Sequence, residues 1–139
     1  MVAALCAWHE HHTRALAELD RRIDAGEHLV VAGPAVVETY AVLTRLPAPY
    51  RLSARDAQAL IRASFLDGTD IVVLDGGGYR GLLDRALALD VSGATAYDLV
   101  IAECARAAGA DSLLTFNARH FHRLADDALR VVVPDEAIQ

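Results

Sequence analysis

The sequence contains no lysine: all 13 of its basic residues are arginine. Acidic residues number 19, so the formal net charge is −6. This balance argues against a protein that coats nucleic acid by bulk positive charge, although it leaves room for a local arginine-lined site. Cysteine is scarce too. Cys6 and Cys104 lie far apart without a CxxC spacing, which excludes a disulfide scaffold and predicts buried thiols in a reducing, cytoplasmic compartment.

Long apolar runs are also missing, since none approaches the roughly 18 residues that a membrane span needs. The opening segment Met1–Trp8 is apolar, but it lacks a basic flank and a long hydrophobic stretch, so we expect no signal peptide. A chain of 139 residues that is 54% hydrophobic can bury a core without disulfide or metal staples. We therefore predict one domain over residues 1–139.

Short β-branched runs alternate with longer helical stretches along the chain. Strands are predicted at Leu29–Ala32, Ile71–Leu74, Ser112–Thr115 and Arg130–Val133. Helices are predicted at Ala7–Asp24, Pro34–Leu46, Ser53–Leu66, Tyr79–Leu89, Thr95–Ala108 and Arg119–Leu124. This alternation predicts an α/β fold, a three-layer α/β/α domain around a mostly parallel central sheet. Residues Met1–Leu5 read as the end of a strand whose first residues are absent.

Residues typical of helix ends support these boundaries. Pro34 follows Gly33 at a helix start, where the missing N–H of proline costs nothing. Ser53 and Asp56 have the spacing of a capping box, and Gly109 stands where a helix should stop.

Two acidic residues fall inside mostly apolar helices. Glu38 lies in the helix that follows the predicted strand Leu29–Ala32, and Asp98 lies in the first turn of another helix, both in the layer where parallel α/β folds gather their ligands. Two carboxylates that converge there need a cation, and Mg²⁺ binds through one or two carboxylates while accepting phosphate oxygens. The alternatives stay open: Asp98 can complete a capping box with Thr95, and Glu38 can favour the helix dipole or pair with an arginine.

Three segments resemble, in order, the sequence blocks of PIN-domain ribonucleases, specifically the VapC toxins of toxin–antitoxin pairs. Residues 37–47 (VETYAVLTRLP) look like the second acidic block, and residues 96–102 (AYDLVIA) like the third. Residues 113–121 (LLTFNARHF) resemble the closing block, in which many members carry Asp at the position of Asn117. The resemblance spans nearly the whole chain.

This resemblance implies an endoribonuclease that cleaves RNA with Mg²⁺ or Mn²⁺, forms a homodimer and is inhibited by a cognate antitoxin. Carried over by position, the catalytic residues are Glu38, Asp98, Asn117 and Thr115, of which Glu38, Asp98 and Asn117 hold the metal. Arg45, Arg80 and Arg119 lie near the three blocks and are the predicted RNA contacts. His120 and His122 follow Asn117 closely and are expected near the same site. The alternatives are that Thr115 merely ends a strand and that Asn117 stabilises the turn after it.

One block of the family has no counterpart here. Members open with a strand ending in Asp-Thr-Asn or Asp-Ser, and its Asp would align before Met1. An upstream Asp is therefore expected to tighten Mn²⁺ binding. The alternative function is a weak or inactive PIN-fold module that still binds an antitoxin. In relatives the antitoxin helix lies in a groove of the kind expected between Pro34–Leu46 and Ser53–Leu66.

Two further motifs compete with this interpretation. Residues 75–81 (DGGGYRG) match the oxyanion-hole loop of patatin-like acyl hydrolases, but no serine has the G-x-S-x-G context that the nucleophile needs. His9, His11 and His12 suggest zinc, yet residues 11 and 12 face different directions on a helix and no further ligand is evident. Both are weaker hypotheses than the ribonuclease.

Overall fold

A computed structural model describes residues 1–124 and 126–135. Its helices are α1 (Val2–Leu5), α2 (His12–Asp24), α3 (Gly33–Arg45), α4 (Ala54–Ile61), α5 (Gly76–Ala88), α6 (Thr95–Ala107) and α7 (Ala118–Phe121). A π-helical turn, Arg62–Leu66, continues α4. The strands are β1 (Val30–Ala32), β2 (Asp70–Val72), β3 (Ser112–Leu114) and β4 (Arg130–Val132).

All four predicted strands are present, each three residues long and overlapping its predicted range. They pair two by two, β1 with β2 and β3 with β4. The second pair is parallel, with Leu113 opposite Val131. The prediction of an α/β fold with parallel strands is thus confirmed.

The chain divides into two compact units. The first comprises residues 1–31, 35–71 and, of the described residues that follow, 134–135; the second comprises residues 32–34 and 72–133. Each unit has its own apolar core. The single domain over residues 1–139 stays a prediction. No helix in the described part of the chain is both long and apolar enough for a membrane span.

The core of the first unit lies between α1, α3 and α4. Leu43 and Ala57 are fully buried there, beside Cys6 and Ile61. Helix α4 begins as predicted: Ser53 accepts the N–H of Asp56 at 3.1 Å and donates its hydroxyl to the Asp56 carboxylate at 2.7 Å. The Ser53 N-cap holds the first turn of α4 in helical geometry.

The start of the chain corrects two predictions. Met1–Leu5 is not the end of a strand: Val2–Leu5 forms α1, because Val2 and Leu5 both pack against the core of the first unit from one side of a helical turn. The predicted helix from Ala7 begins only at His12. The cause is local, since the His9 ring accepts the backbone N–H of His11 at 3.1 Å and so competes with helix formation.

The second unit is organised around α6. Leu99 and Ala102 of this helix are fully buried with Leu124 and Leu129, and the core extends to Leu82, Leu113 and Phe121. Helix α6 contacts α5, β3 and α7. Gly109 ends it as predicted, with φ at +67°, and the N–H of Ala110 donates back to the carbonyl oxygen of Ala105 at 3.0 Å.

Both cysteines are buried free thiols, as expected. Burial raises the pKa of Cys6 and of Cys104 above the usual value, which keeps both thiols protonated.

Candidate active site

Asp98 occupies the first turn of α6 without capping it. The N-cap of α6 is Ala94, and no side chain satisfies the first amides of the helix. The proposed capping box of Thr95 and Asp98 is therefore absent. Oδ2 of Asp98 instead lies 3.1 Å from Nδ1 of His120, and the Asp98 side chain is 19% exposed. The carboxylate is reachable from solvent and is held by a side chain 22 residues later in the chain.

Thr115 and Asn117 lie in the turn between β3 and α7. The hydroxyl oxygen of Thr115 accepts the backbone N–H of Asn117 at 3.0 Å, and the carbonyl oxygen of Asn117 accepts the N–H of His120 at 3.1 Å. These bonds and the contact between His120 and Asp98 form one hydrogen-bonded series. The Thr115 hydroxyl thus helps to form this turn, while the exposed side chain of Asn117 makes no capping bond to α7.

Glu38 belongs to the first unit, where it lies exposed on α3. The next residue, Thr39, is buried and donates its hydroxyl to the carbonyl oxygen of Ala35 at 2.7 Å. Burial lowers the pKa of the Met1 α-amino group, and the negative charge of Glu38 opposes this shift. The Glu38 charge therefore acts on the start of the chain.

Comparison with known proteins decides the family. The sequence model of the PIN domain matches residues 1–127. A Mycobacterium tuberculosis protein (strain CDC 1551 / Oshkosh) named Ribonuclease VapC40 is 40% identical over 119 residues, which cover 86% of this chain and 82% of the relative. The protein of the same name in strain ATCC 25618 / H37Rv matches with the same figures.

The chain belongs to the PIN-domain family. The resemblance to its VapC-type members, inferred from three short segments, is confirmed. The three segments are short, but the match to the family model extends across both compact units. In this PIN domain, Asp98 stands within the third block and Asn117 within the closing block.

The three predicted RNA contacts are exposed arginines in this PIN domain. Arg45 lies in the last turn of α3, Arg80 near the start of α5, and Arg119 in α7 beside His120. Within residues 1–124 and 126–135, none of the three forms a salt bridge. Their guanidinium groups therefore keep their donors available for phosphate oxygens.

The side chains of Asp98, Asn117 and Thr115 offer oxygen atoms as metal ligands, the type of ligand that Mg²⁺ and Mn²⁺ prefer. This set of side chains fits such a cation in chemistry, although the described residues contain no group of three or more His, Cys, Asp or Glu that could hold a metal ion. The zinc hypothesis for His9–His12 is not supported. Nδ1 of His9 faces the N–H of His11, and Nδ1 of His12 lies 2.9 Å from the carbonyl oxygen of Ala3.

The glycine-rich string is the first turn of α5 and not a loop. Asp75 is the N-cap, and its Oδ1 accepts the N–H of Gly78 at 2.7 Å. This helix begins at Gly76, three residues before the predicted start at Tyr79. The Asp75 carboxylate already accepts the amide of Gly78, one of the donors that an oxyanion hole in this string would use, which argues against the acyl hydrolase.

His120 is the residue of this site for which the sequence patterns predict no defined role. Of the two histidines expected nearby, His120 contacts Asp98, whereas His122 is exposed. The contact depends on the packing of α7 against α6, so no local pattern reveals it. Burial of the adjacent Phe121 fixes the helix on which His120 stands.

Proposed function

We propose that this protein is a metal-dependent endoribonuclease, acting in the cytoplasm as the toxin of a toxin–antitoxin pair and hydrolysing RNA phosphodiester bonds. The observation that carries the proposal is the hydrogen-bonded series from Thr115 through Asn117 and His120 to Asp98. The series contains the partly exposed carboxylate of Asp98 together with Asn117 and Thr115, whose oxygen atoms could bind a metal ion. All three residues lie in segments that resemble the blocks of PIN-domain proteins. The ribonuclease name of the protein's relative supports the same activity.

Asp98 and Asn117 are the residues of the second unit that would hold Mg²⁺ or Mn²⁺. When bound, the cation would supply an activated water and stabilise negative charge on the phosphodiester. Thr115 holds the turn that carries Asn117, and Arg119 on the adjoining helix offers a forked donor to a phosphate. The metal role of Glu38 rests on the family resemblance and stays a prediction.

The resemblance also places a first metal aspartate in a strand that precedes the Met1 position. A chain lengthened by an Asp-containing strand is expected to bind Mn²⁺ more tightly than the chain as given. Equal affinities would argue against a ligand in that position.

A groove in the first unit supports an antitoxin as the protein partner. It has a volume of about 240 Å³ and lies between α3 and the segment formed by α4 and its π-helical turn. Its lining is mostly apolar: Val36, Val37, Tyr40, Gln58, Ile61, Arg62 and Leu66. The side chain of Val37 is 69% exposed. An amphipathic antitoxin helix would cover these side chains as helices cover apolar grooves generally.

The homodimer has a candidate surface on α5. Tyr79, Leu83 and Leu87 recur every four residues and are 48%, 70% and 84% exposed. Such a stripe on one helix is a common interaction surface. Replacing Leu83 and Leu87 by Glu is expected to shift a dimer to monomer in analytical ultracentrifugation, whereas Leu16→Glu on α2 serves as the matched control.

Isothermal titration of Mn²⁺ tests the proposed activity first. We expect saturable binding to the chain, lost in Asp98→Asn and retained in the control Asp84→Asn, which changes an exposed acid of α5 in the same unit. The same three proteins would then be tested on a pool of transfer, ribosomal and messenger RNA with Mn²⁺ or EDTA. Cleavage that persists in Asp98→Asn, or with EDTA, would overturn the proposal.

A further inference from the structure

The imidazole of His120 and the carboxylate of Asp98 form a defined pair. Nδ1 lies 3.1 Å from Oδ2, a distance at which the ring donates its Nδ1–H to the carboxylate. The His120 side chain is 45% exposed and that of Asp98 is 19% exposed. The histidine therefore contacts the carboxylate at Oδ2 and keeps part of its ring exposed to solvent.

Little else in α6 fixes the direction of the Asp98 side chain. The helix starts without a side-chain cap, and the bond that the structure gives to the Asp98 carboxylate is the one with His120. A carboxylate in a first helical turn has several staggered rotamers, and a single donor is enough to select among them. In this structure that donor is His120.

The helix that carries His120 is itself firmly placed. Phe121 is buried in the core of the second unit, and the turn before α7 is tied by the bond from Asn117 to Thr115. After α7, an NH2 group of Arg106 donates to the carbonyl oxygen of Leu124. A four-residue helix held at both ends can fix a neighbouring side chain in one orientation.

We propose that His120 is a positioning residue for the metal site: its Nδ1–H bond to Oδ2 orients the Asp98 carboxylate, leaving Oδ1 outside that bond for a cation. This inference rests on the proposed function, because His120 can orient a metal ligand only if the Asp98 carboxylate binds the metal ion. Loss of a side chain that hydrogen-bonds to a metal ligand typically weakens metal affinity by about 10- to 100-fold.

Two substitutions separate positioning from other roles of the ring. In His120→Asn, the side-chain nitrogen lies as many bonds from Cα as Nδ1 does, so the donor to Asp98 is kept. In His120→Gln the amide reaches the position of Nε2 and that donor is lost. We expect His120→Gln and His120→Ala to weaken Mn²⁺ binding about tenfold in isothermal titration. His120→Asn and the exposed-residue control His122→Ala should stay within about threefold of the unmodified protein.

A second readout needs no metal. Long-range ¹H–¹⁵N spectra at alkaline pH report which nitrogen of a neutral imidazole carries the proton. We expect His120 to be found as the Nδ1–H form, and to change to the Nε2–H form in Asp98→Ala. The ring of His122, two residues away, should be unaffected.

The outcomes distinguish this inference from the proposed function. If Asp98→Asn leaves Mn²⁺ binding intact, the proposed metal site itself fails. If Asp98→Asn abolishes binding while His120→Gln and His120→Ala do not weaken it, the site stands and the positioning role is wrong. Equal losses in His120→Asn and His120→Gln, with His120 in the Nε2–H form, would likewise overturn it.

Discussion

An NH2 group of Arg106 donates to the backbone carbonyl oxygen of Leu124 and thereby joins α6 to the segment that follows α7. The same guanidinium donates to Glu103 at 2.8 Å and to Asp126 at 2.9 Å. Its side chain is only 17% exposed, and Leu124 is fully buried. One arginine therefore satisfies a buried backbone acceptor and two carboxylates at the edge of the core.

Arg106→Met should show how much these hydrogen bonds contribute to the free energy of unfolding. The substitution keeps most of the apolar stem but leaves the Leu124 carbonyl without its donor, so we expect the free energy of unfolding to fall by about 2 kcal/mol. Urea denaturation measures it. Arg123→Met is the control, because that exposed side chain reaches a carbonyl only at 3.5 Å and should cost less than about 0.5 kcal/mol. Equal losses in the two variants would contradict this account.

Glu18 predicts a pH dependence of stability. Its carboxylate accepts two bonds from Arg21, both at 2.9 Å, and one from Arg22 at 2.6 Å. The Arg21 bonds, with the help of Arg22, lower the pKa of Glu18 to about 2, from a usual value of 4.5. A carboxyl group whose folded pKa is depressed stabilises the fold above its unfolded pKa, and that contribution disappears as the pH falls from about 4.5 to about 2.

Glu18→Gln should therefore lose stability at pH 7 but have a flatter stability profile between pH 4.5 and 2. We expect a loss of about 1 to 2 kcal/mol at neutral pH, measured by urea denaturation across that range. Asp20→Asn, an exposed acid on the same helix, is the matched control and should leave the profile unchanged. Parallel profiles for Glu18→Gln and the unmodified protein would show that Glu18 does not supply this pH dependence.

Replacing two glycines of α5, Gly78 and Gly81, by alanine should change the free energy of unfolding differently. A Cβ at Gly78 would stand 3.1 Å from Cβ of Leu74, whereas a Cβ at Gly81 would meet nothing within 4 Å. Gly81→Ala is thus expected to raise the free energy of unfolding by about 0.5 to 1 kcal/mol through helix propensity. At Gly78 the crowding should cancel or reverse that gain. A gain of the same size at both positions would mean that Gly78 is not there for close packing.

The structural features that the sequence predicts best are those that depend on a few neighbouring residues, such as the ends of helices. The Ser53 cap and the stop at Gly109 depend on a few adjacent residues, and both are found as expected. The start of α2 was mispredicted because the His9 ring takes an amide that a helix would use, which an apolar pattern does not reveal. The pairing of Asp98 with His120 spans 22 residues and depends on how α7 packs, so only the assembled fold provides it.

Asn117 provides the last prediction, because this position carries Asp in many relatives of the family. The Asn117 side chain is exposed and makes no capping bond to α7, so Asn117→Asp and Asn117→Ser should leave the thermal midpoint of unfolding nearly unchanged. Their effects on a cation should differ, since affinity for hard cations rises with the charge of the oxygen ligands. We expect Mn²⁺ to bind about tenfold more tightly to Asn117→Asp and more weakly to Asn117→Ser than to the unmodified chain. Isothermal titration at fixed pH would give this order if Asn117 is a ligand, and three equal affinities if its side chain serves only the turn before α7.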